Sequence, residues 1–94
     1  LLSFSLNAGI SDSCKYVITG KIIDGETNKP FAGASIILVA QDKAVIADEK
    51  GEFSLRGLCQ GVITLKYSVV GYKSLIKTYT IKNKNPNDVI ILHT

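Results

Sequence analysis

The sequence predicts an all-β chain folded as a two-layer sandwich of seven short strands. Three observations carry that expectation. Ile63, Leu65, Tyr67 and Val69 alternate with Thr64, Lys66 and Ser68, the period of a half-buried strand. Turn signals recur roughly every 8 to 12 residues, as they do in sandwiches. No window shows the apolar period of a helix.

The first strand is expected over Tyr16–Asp24, a run rich in β-branched residues. Ile18 and Ile22 share a face with Gly20 between them, which suits close approach by a neighbouring backbone or side chain. Gly25-Glu26-Thr27-Asn28-Lys29-Pro30 is a dense loop signal. Gly33 precedes a second strand over 34–40, apolar on both faces and so expected to have more than one neighbour. Gln41-Asp42-Lys43 then turns the chain toward residues 45–55, the expected centre of the fold. There two apolar runs flank a polar turn that ends in Gly51, the pattern of a tight antiparallel hairpin. Gly51 reaches positive φ without a Cβ clash. Beyond the turn Phe53 and Leu55 share one face, and Glu52, Ser54 and Arg56 the other.

Gly57-Leu58-Cys59-Gln60-Gly61 connects to the fifth strand over 63–69. Gly71-Tyr72 breaks that run, and a sixth strand spans 73–81. Leu75 and Ile76 are adjacent in it, so its register is ambiguous and a bulge would reconcile them. A polar loop through Pro86 leads to a last strand over 88–92, apolar on both faces.

Ninety-four residues make one domain with a single core. Apolar residues are 46% and charged residues 20%, a globular balance that excludes wholesale disorder. The net charge is +3 and the lysines are dispersed except toward the C-terminal side. Nucleic-acid binding calls for a clustered basic stripe with stacking aromatics, so a nucleic-acid partner is not expected. No apolar run approaches the roughly 18 to 20 residues of a membrane-spanning helix, and insertion of this chain into a membrane is not expected.

Residues 1–15 show neither periodicity nor turn chemistry and read as a flexible tail ahead of a domain over 16–94. Their opening, Leu1 to Gly9, is an apolar patch followed by small residues. It reads either as the remnant of an export signal or as an ordinary hydrophobic arm. Cys14 and Cys59 are consistent with export. They form a disulfide or stand as two free thiols, and the sequence leaves both open. Two cysteines and the single His93 fall short of the four ligands of a structural zinc site.

No constellation rises to an active site. His93 lies one residue from the end of the sequence, where a catalytic base lacks the packing that would orient it. Asp48, Glu49 and Glu52 surround the central turn, and Asp24 and Glu26 lie in the first loop. They lack the alternating spacing of a calcium loop, and turn aspartates commonly bond their own backbone. Tyr67 belongs to the core, whereas Tyr72 and Tyr79 read either as platforms for stacking on a sugar ring or, preferably, as ordinary packing residues. Lys73, Lys77, Lys82 and Lys84 read as a solvated edge that discourages sheet-to-sheet association. No cofactor or metal is expected.

Three segments together resemble the carboxypeptidase-D regulatory-like domains. The first runs from Gly20 through Asp24 and the threonine-containing loop to Pro30, then Gly33-Ala34 into a strand. The second is Ala47-Asp48-Glu49-Lys50-Gly51-Glu52-Phe53, and the third is Tyr67 with Gly71-Tyr72. In order and at this spacing they cover about residues 16–92. Departures are Ala47, where a threonine is common, and Phe31-Ala32, where leucine-proline is usual. The resemblance implies a Greek-key sandwich of the transthyretin or prealbumin type and a non-catalytic accessory role. It also implies a periplasmic setting at the outer membrane, as the N-terminal extension of a TonB-dependent nutrient transporter. The implied partner is then protein, either the transporter's own barrel or another periplasmic or outer-membrane component. A carbohydrate-binding module and the folding appendage of a metallocarboxypeptidase are the alternatives. The cysteines lie outside the pattern, so it says nothing of their pairing.

Overall fold

A computed structural model describes residues 14–94. The expected tail, and with it the two readings of its opening, falls outside the described residues except for Cys14 and Lys15. Seven strands follow in order: β1 Tyr16–Asp24, β2 Ser35–Leu38, β3 Lys43–Ile46, β4 Glu52–Leu58, β5 Gly61–Ser68, β6 Leu75–Ile81 and β7 Asn87–Leu92. They form two stacked sheets, β4-β1-β7 and β3-β2-β5-β6. The chain crosses between the sheets after β1, β3, β4 and β6, which gives the Greek-key, transthyretin-like sandwich. Among the described residues only β2–β3 and β5–β6 are hairpins within one sheet. β1 is central in its sheet, antiparallel to β4 and parallel to β7.

Alternation decides which side chains meet between the layers. Ile18 and Ile22 of β1, Ile36 and Leu38 of β2, Leu55 of β4, Leu65 and Tyr67 of β5, Ile81 of β6, and Ile90 and Leu92 of β7 are fully buried. Removing such a side chain from water stabilises the fold by roughly 1.5–3 kcal/mol. Phe53 and Leu58 complete the core from β4.

The expected hairpin over 45–55 is where the structure departs most from the sequence. The turn itself is present. Gly51 N donates to Asp48 O (2.9 Å), Asp48 N donates to Glu52 O (2.9 Å), and Gly51 has φ +75°. Yet β3 pairs with β2 while β4 pairs with β1, so the turn is an arch from one sheet to the other. Ala47 marks the crossing: it is buried, donates to Ala34 O and accepts from Gly33 N. A hairpin would have kept Phe53, Leu55 and Leu58 in the sheet of β3, and the arch sets them opposite it. The hairpin lies one step earlier, at β2–β3. There the expected second strand stops at Leu38, a single 3-10 turn covers Val39–Gln41, and Asp42 takes φ +52°.

β6 needs no bulge. Its register with β5 is unbroken from Tyr67↔Leu75 to Gly61↔Ile81, which turns Leu75, Lys77, Tyr79 and Ile81 inward and leaves Ile76 exposed. The irregularity lies in β1 instead, between Tyr16 and Ile18.

Candidate functional site

The polar side chains that sequence inspection offers for chemistry fall into two clusters, one between the sheets and one at an end of the sandwich. The first begins with the glycine in β1. Gly20 pairs with Asp88 of β7 and Phe53 of β4. A Cβ at Gly20 would stand 2.5 Å from Asp88 O and 2.7 Å from the Phe53 ring. Its missing side chain is therefore the space that the Phe53 ring occupies. Phe53 in turn meets Tyr67 edge-on, with centroids 5.8 Å apart.

From Tyr67 a chain of hydrogen bonds crosses the sandwich. The Tyr67 and Tyr79 hydroxyls are 2.7 Å apart, and the Tyr79 hydroxyl donates to Asp88 Oδ2 at 2.8 Å. That donation leaves Tyr67 as the donor to Tyr79. Lys77 Nζ also reaches Asp88 Oδ2, at 2.7 Å, and Val89 N donates to Asp88 Oδ1 at 2.9 Å. Lys77 is thus not part of a solvated edge. Its stem lies on the inner side of β6 and its head bridges to the other sheet, the behaviour of a long amphipathic chain at a core margin.

Burial works to raise the Asp88 carboxyl, but the Lys77 and Tyr79 bonds outweigh it and hold the group below the usual carboxylate range. Burial pushes the Tyr67 phenol up to about 12, against the Tyr79 bond and with help from the Asp88 charge. Tyr79 is raised further, by burial first and then by its bonds to Tyr67 and Asp88. The Lys77 and Tyr79 bonds to Asp88 hold the two sheets together, and the Tyr67–Tyr79 bond braces them from within one sheet.

The second cluster closes the far end of β1. Asp24 ends the inward series Ile18, Gly20, Ile22 and is nearly buried. Its Oδ1 accepts from Glu26 N (2.8 Å) and its Oδ2 from the Tyr72 hydroxyl (2.8 Å). Burial acts to raise this carboxyl, and the bonds from Glu26, Tyr72 and Thr27 override it to leave it lowered. The bond to Asp24, and then burial, raise Tyr72. The Tyr72 ring stands edge-on to Phe31 at 4.7 Å. Gly51 is buried beside them: its carbonyl accepts from Ile22 N (2.8 Å), and a Cβ there would lie 2.6 Å from Ile22 O and 3.1 Å from the Pro30 ring. Pro30 itself forms a bridge to Ile23. His93 is not simply solvated, since Nδ1 lies 3.3 Å from Glu26 Oε2 and its carbonyl accepts from Lys73 N.

The motif residues therefore gather by place. Gly20, Phe53 and Tyr67 meet in the core, and Asp24, Pro30, Gly51 and Tyr72 meet at one end. Asp48 stands apart at the arch, its Oδ1 accepting from Lys50 N and Glu52 N at 2.9 Å. Gly33 and Gly71 serve turns in open space, with φ +81° and +88°. Gly71 occupies the third position of a turn closed by Tyr72 N to Val69 O, where positive φ is required. Cys14 and Cys59 are joined in a disulfide, and beside it Gln60 Nε2 donates to the Tyr16 hydroxyl.

Among the described residues no three His, Cys, Asp or Glu side chains are placed to hold a metal ion. Sequence inspection missed Lys77 and Asp88. Parity carried both, since Lys77 shares its face with Leu75, Tyr79 and Ile81, and Asp88 shares its face with Ile90 and Leu92.

β4, β7, β3 and β6 are the edge strands of the two sheets, and β7 is flanked by an apolar margin. Among the described residues no strand pairs with the outer side of β7. On the outward face next to it, Ile23 stands beside Ile91 and Lys21 beside Val89, and Val89 and Ile91 are 56% and 50% exposed.

Comparison with known proteins places this architecture. No curated protein sequence matches the chain. One chain of a type II Cohesin-X-Dockerin complex from Acetivibrio cellulolyticus, an N-terminal interface mutant, is similar with a TM-score of 0.69 at 16% identity. The similarity covers 82% of this chain and 56% of that one. A C-terminal interface mutant of the same complex gives 0.67 at 17% identity. A streptococcal ancillary pilin gives 0.66 at 21% identity, over 86% of this chain and 30% of the pilin. The chain thus spans about half of one neighbour and under a third of the other, and at such identities the likeness is one of fold alone. The sequence pattern of the CarboxypepD_reg-like domain matches residues 18–94, nearly the whole of the described sandwich, and the chain belongs to that family.

Proposed function

We propose that this domain is a non-catalytic accessory module that docks onto protein, in the periplasm, as the N-terminal extension of a TonB-dependent outer-membrane nutrient transporter. The observation that carries docking is the open outer side of β7 beside the apolar strip of Ile23, Val89 and Ile91. An extended protein segment added there would find main-chain partners along the strand and an apolar margin for its side chains. Membership in the CarboxypepD_reg-like family supports the accessory role. So does the use of Asp24, Asp48 and Asp88, whose carboxylates all hold the fold together. The transporter setting rests on the resemblance of the three sequence blocks.

The test is made in the parent protein, comparing removal of residues 16–94 with the double variant Val89→Lys, Ile91→Lys. Loss of uptake or assembly in both is expected. Unchanged transport and assembly after removal would end the reading. The carbohydrate-binding alternative needs rings standing in a row at the surface. Tyr67 and Tyr79 point between the sheets, and Tyr72 packs on Phe31. Saturable, specific calorimetric binding of a glycan, lost in Tyr72→Ala, would promote it.

A further inference from the structure

The pairing of the first and last strands assigns the domain a property separate from docking. β1 and β7 lie side by side and parallel, in unbroken register from Thr19↔Asn87 to Asp24↔Leu92. The contact extends past both ends of that ladder. On one side Val17 N donates to Asn85 Oδ1 (3.0 Å), Thr19 N to Pro86 O (3.1 Å) and Asn87 Nδ2 to Thr19 Oγ1 (2.7 Å). On the other Gly25 N donates to Leu92 O (2.8 Å).

In a parallel pair the start of one strand and the finish of the other lie at opposite ends. Tension between the two ends of this chain therefore drives β1 and β7 in opposite directions along their shared axis. Every hydrogen bond between them is stretched together, and none yields until all do. A hairpin such as β5–β6, pulled apart at its open end, releases its pairs one after another.

The disulfide strengthens this arrangement. Cys14 precedes β1 by two residues and Cys59 directly follows β4. Tension entering at Cys14 thus reaches β1 and β4 at the same end, where Tyr16 pairs with Leu58. β4 cannot be peeled from β1 there, and the 45-residue span between the cysteines is shielded from extension. We propose that the domain is built to resist tension applied between its two ends, with the β1–β7 ladder carrying it in shear and the Cys14–Cys59 bond locking the chain between the two cysteines.

Single-molecule pulling of the full chain, flanked by reference domains, tests this. Rupture force between the two chain ends is compared with that between handles at Val62 and Thr80, which face each other across β5–β6 and are both exposed. The end-to-end force is expected to be several-fold higher, and equal forces in the two directions would overturn the proposal. Dithiothreitol is expected to lengthen the end-to-end extension by the 45-residue span, roughly 150 Å of contour. An extension unchanged by reduction would remove the disulfide from the load path.

Discussion

Lys77 Nζ lies 2.7 Å from Asp88 Oδ2, joining β6 at the edge of one sheet to β7 at the edge of the other. The same carboxylate oxygen accepts the Tyr79 hydroxyl. Reaching from one sheet edge to the other, this pair and the Tyr79 hydroxyl tie the layers together, with Tyr67 behind them.

Asp88→Ala leaves the Tyr79 hydroxyl and the Lys77 ammonium without their acceptor. A loss of about 1–3 kcal/mol is expected in urea unfolding at neutral pH. The sign of the pH dependence follows from the lowered Asp88 carboxyl. Its contribution is full above the unfolded value of about 4 and fades as pH falls through the lower folded value. The gap between the wild-type protein and the alanine variant should therefore narrow in acid. A gap that held constant would show the carboxylate to be idle.

Gly51 and Gly33 both have positive φ, so alanine strains each by about 1–2 kcal/mol. They differ in space. A Cβ at Gly33 meets nothing, whereas at Gly51 it lies 2.6 Å from Ile22 O and 3.0 Å from Phe31 N. Gly51→Ala is expected to cost roughly 1–3 kcal/mol more than Gly33→Ala through overpacking. Denaturant midpoints that ranked the two equally would contradict the buried arch.

Much of the architecture was legible from period alone. The alternation of Ile63, Leu65 and Tyr67 and the inward series of Ile18, Gly20 and Ile22 stand as the sequence predicts. Gly20 does admit a neighbour, the Phe53 ring. The arch was not legible, because the Asp48–Gly51 turn has the same local chemistry whether its flanks pair with each other or with strands far away. That choice belongs to the core, which needs Phe53 opposite Tyr67. Lys77 was misplaced for a related reason. Its charge suggests solvent, but its parity sets it inward, and only Asp88 from another strand makes that position tolerable.

The Cys14–Cys59 bond closes a span of 45 residues. On chain-entropy grounds its loss costs about 4 kcal/mol. Reduction should lower the denaturant midpoint accordingly while leaving a folded β spectrum. No change in midpoint would show that the unfolded chain gains nothing from release.

Tyr67, Tyr72 and Tyr79 are all raised above the ordinary phenol value, Tyr67 to about 12. A raised phenol supports the fold fully below the unfolded value of about 10, and that support is lost as pH rises through the folded value. Absorbance at 295 nm should show these phenolates emerging above pH 10, together with loss of stability. Ionisation of all of them near pH 10 in a still-folded domain would break the Tyr67–Tyr79–Asp88 chain.

Among the described residues β7 borders its sheet, one side paired to β1 and the other open. Residue-resolved amide hydrogen exchange distinguishes the two sides. Slow exchange is expected at the β7 amides that point toward β1 and fast exchange at those that point away, with β1 protected along its length. Uniform protection along β7 would mean that its outer side is already covered, and the proposed docking edge would not exist.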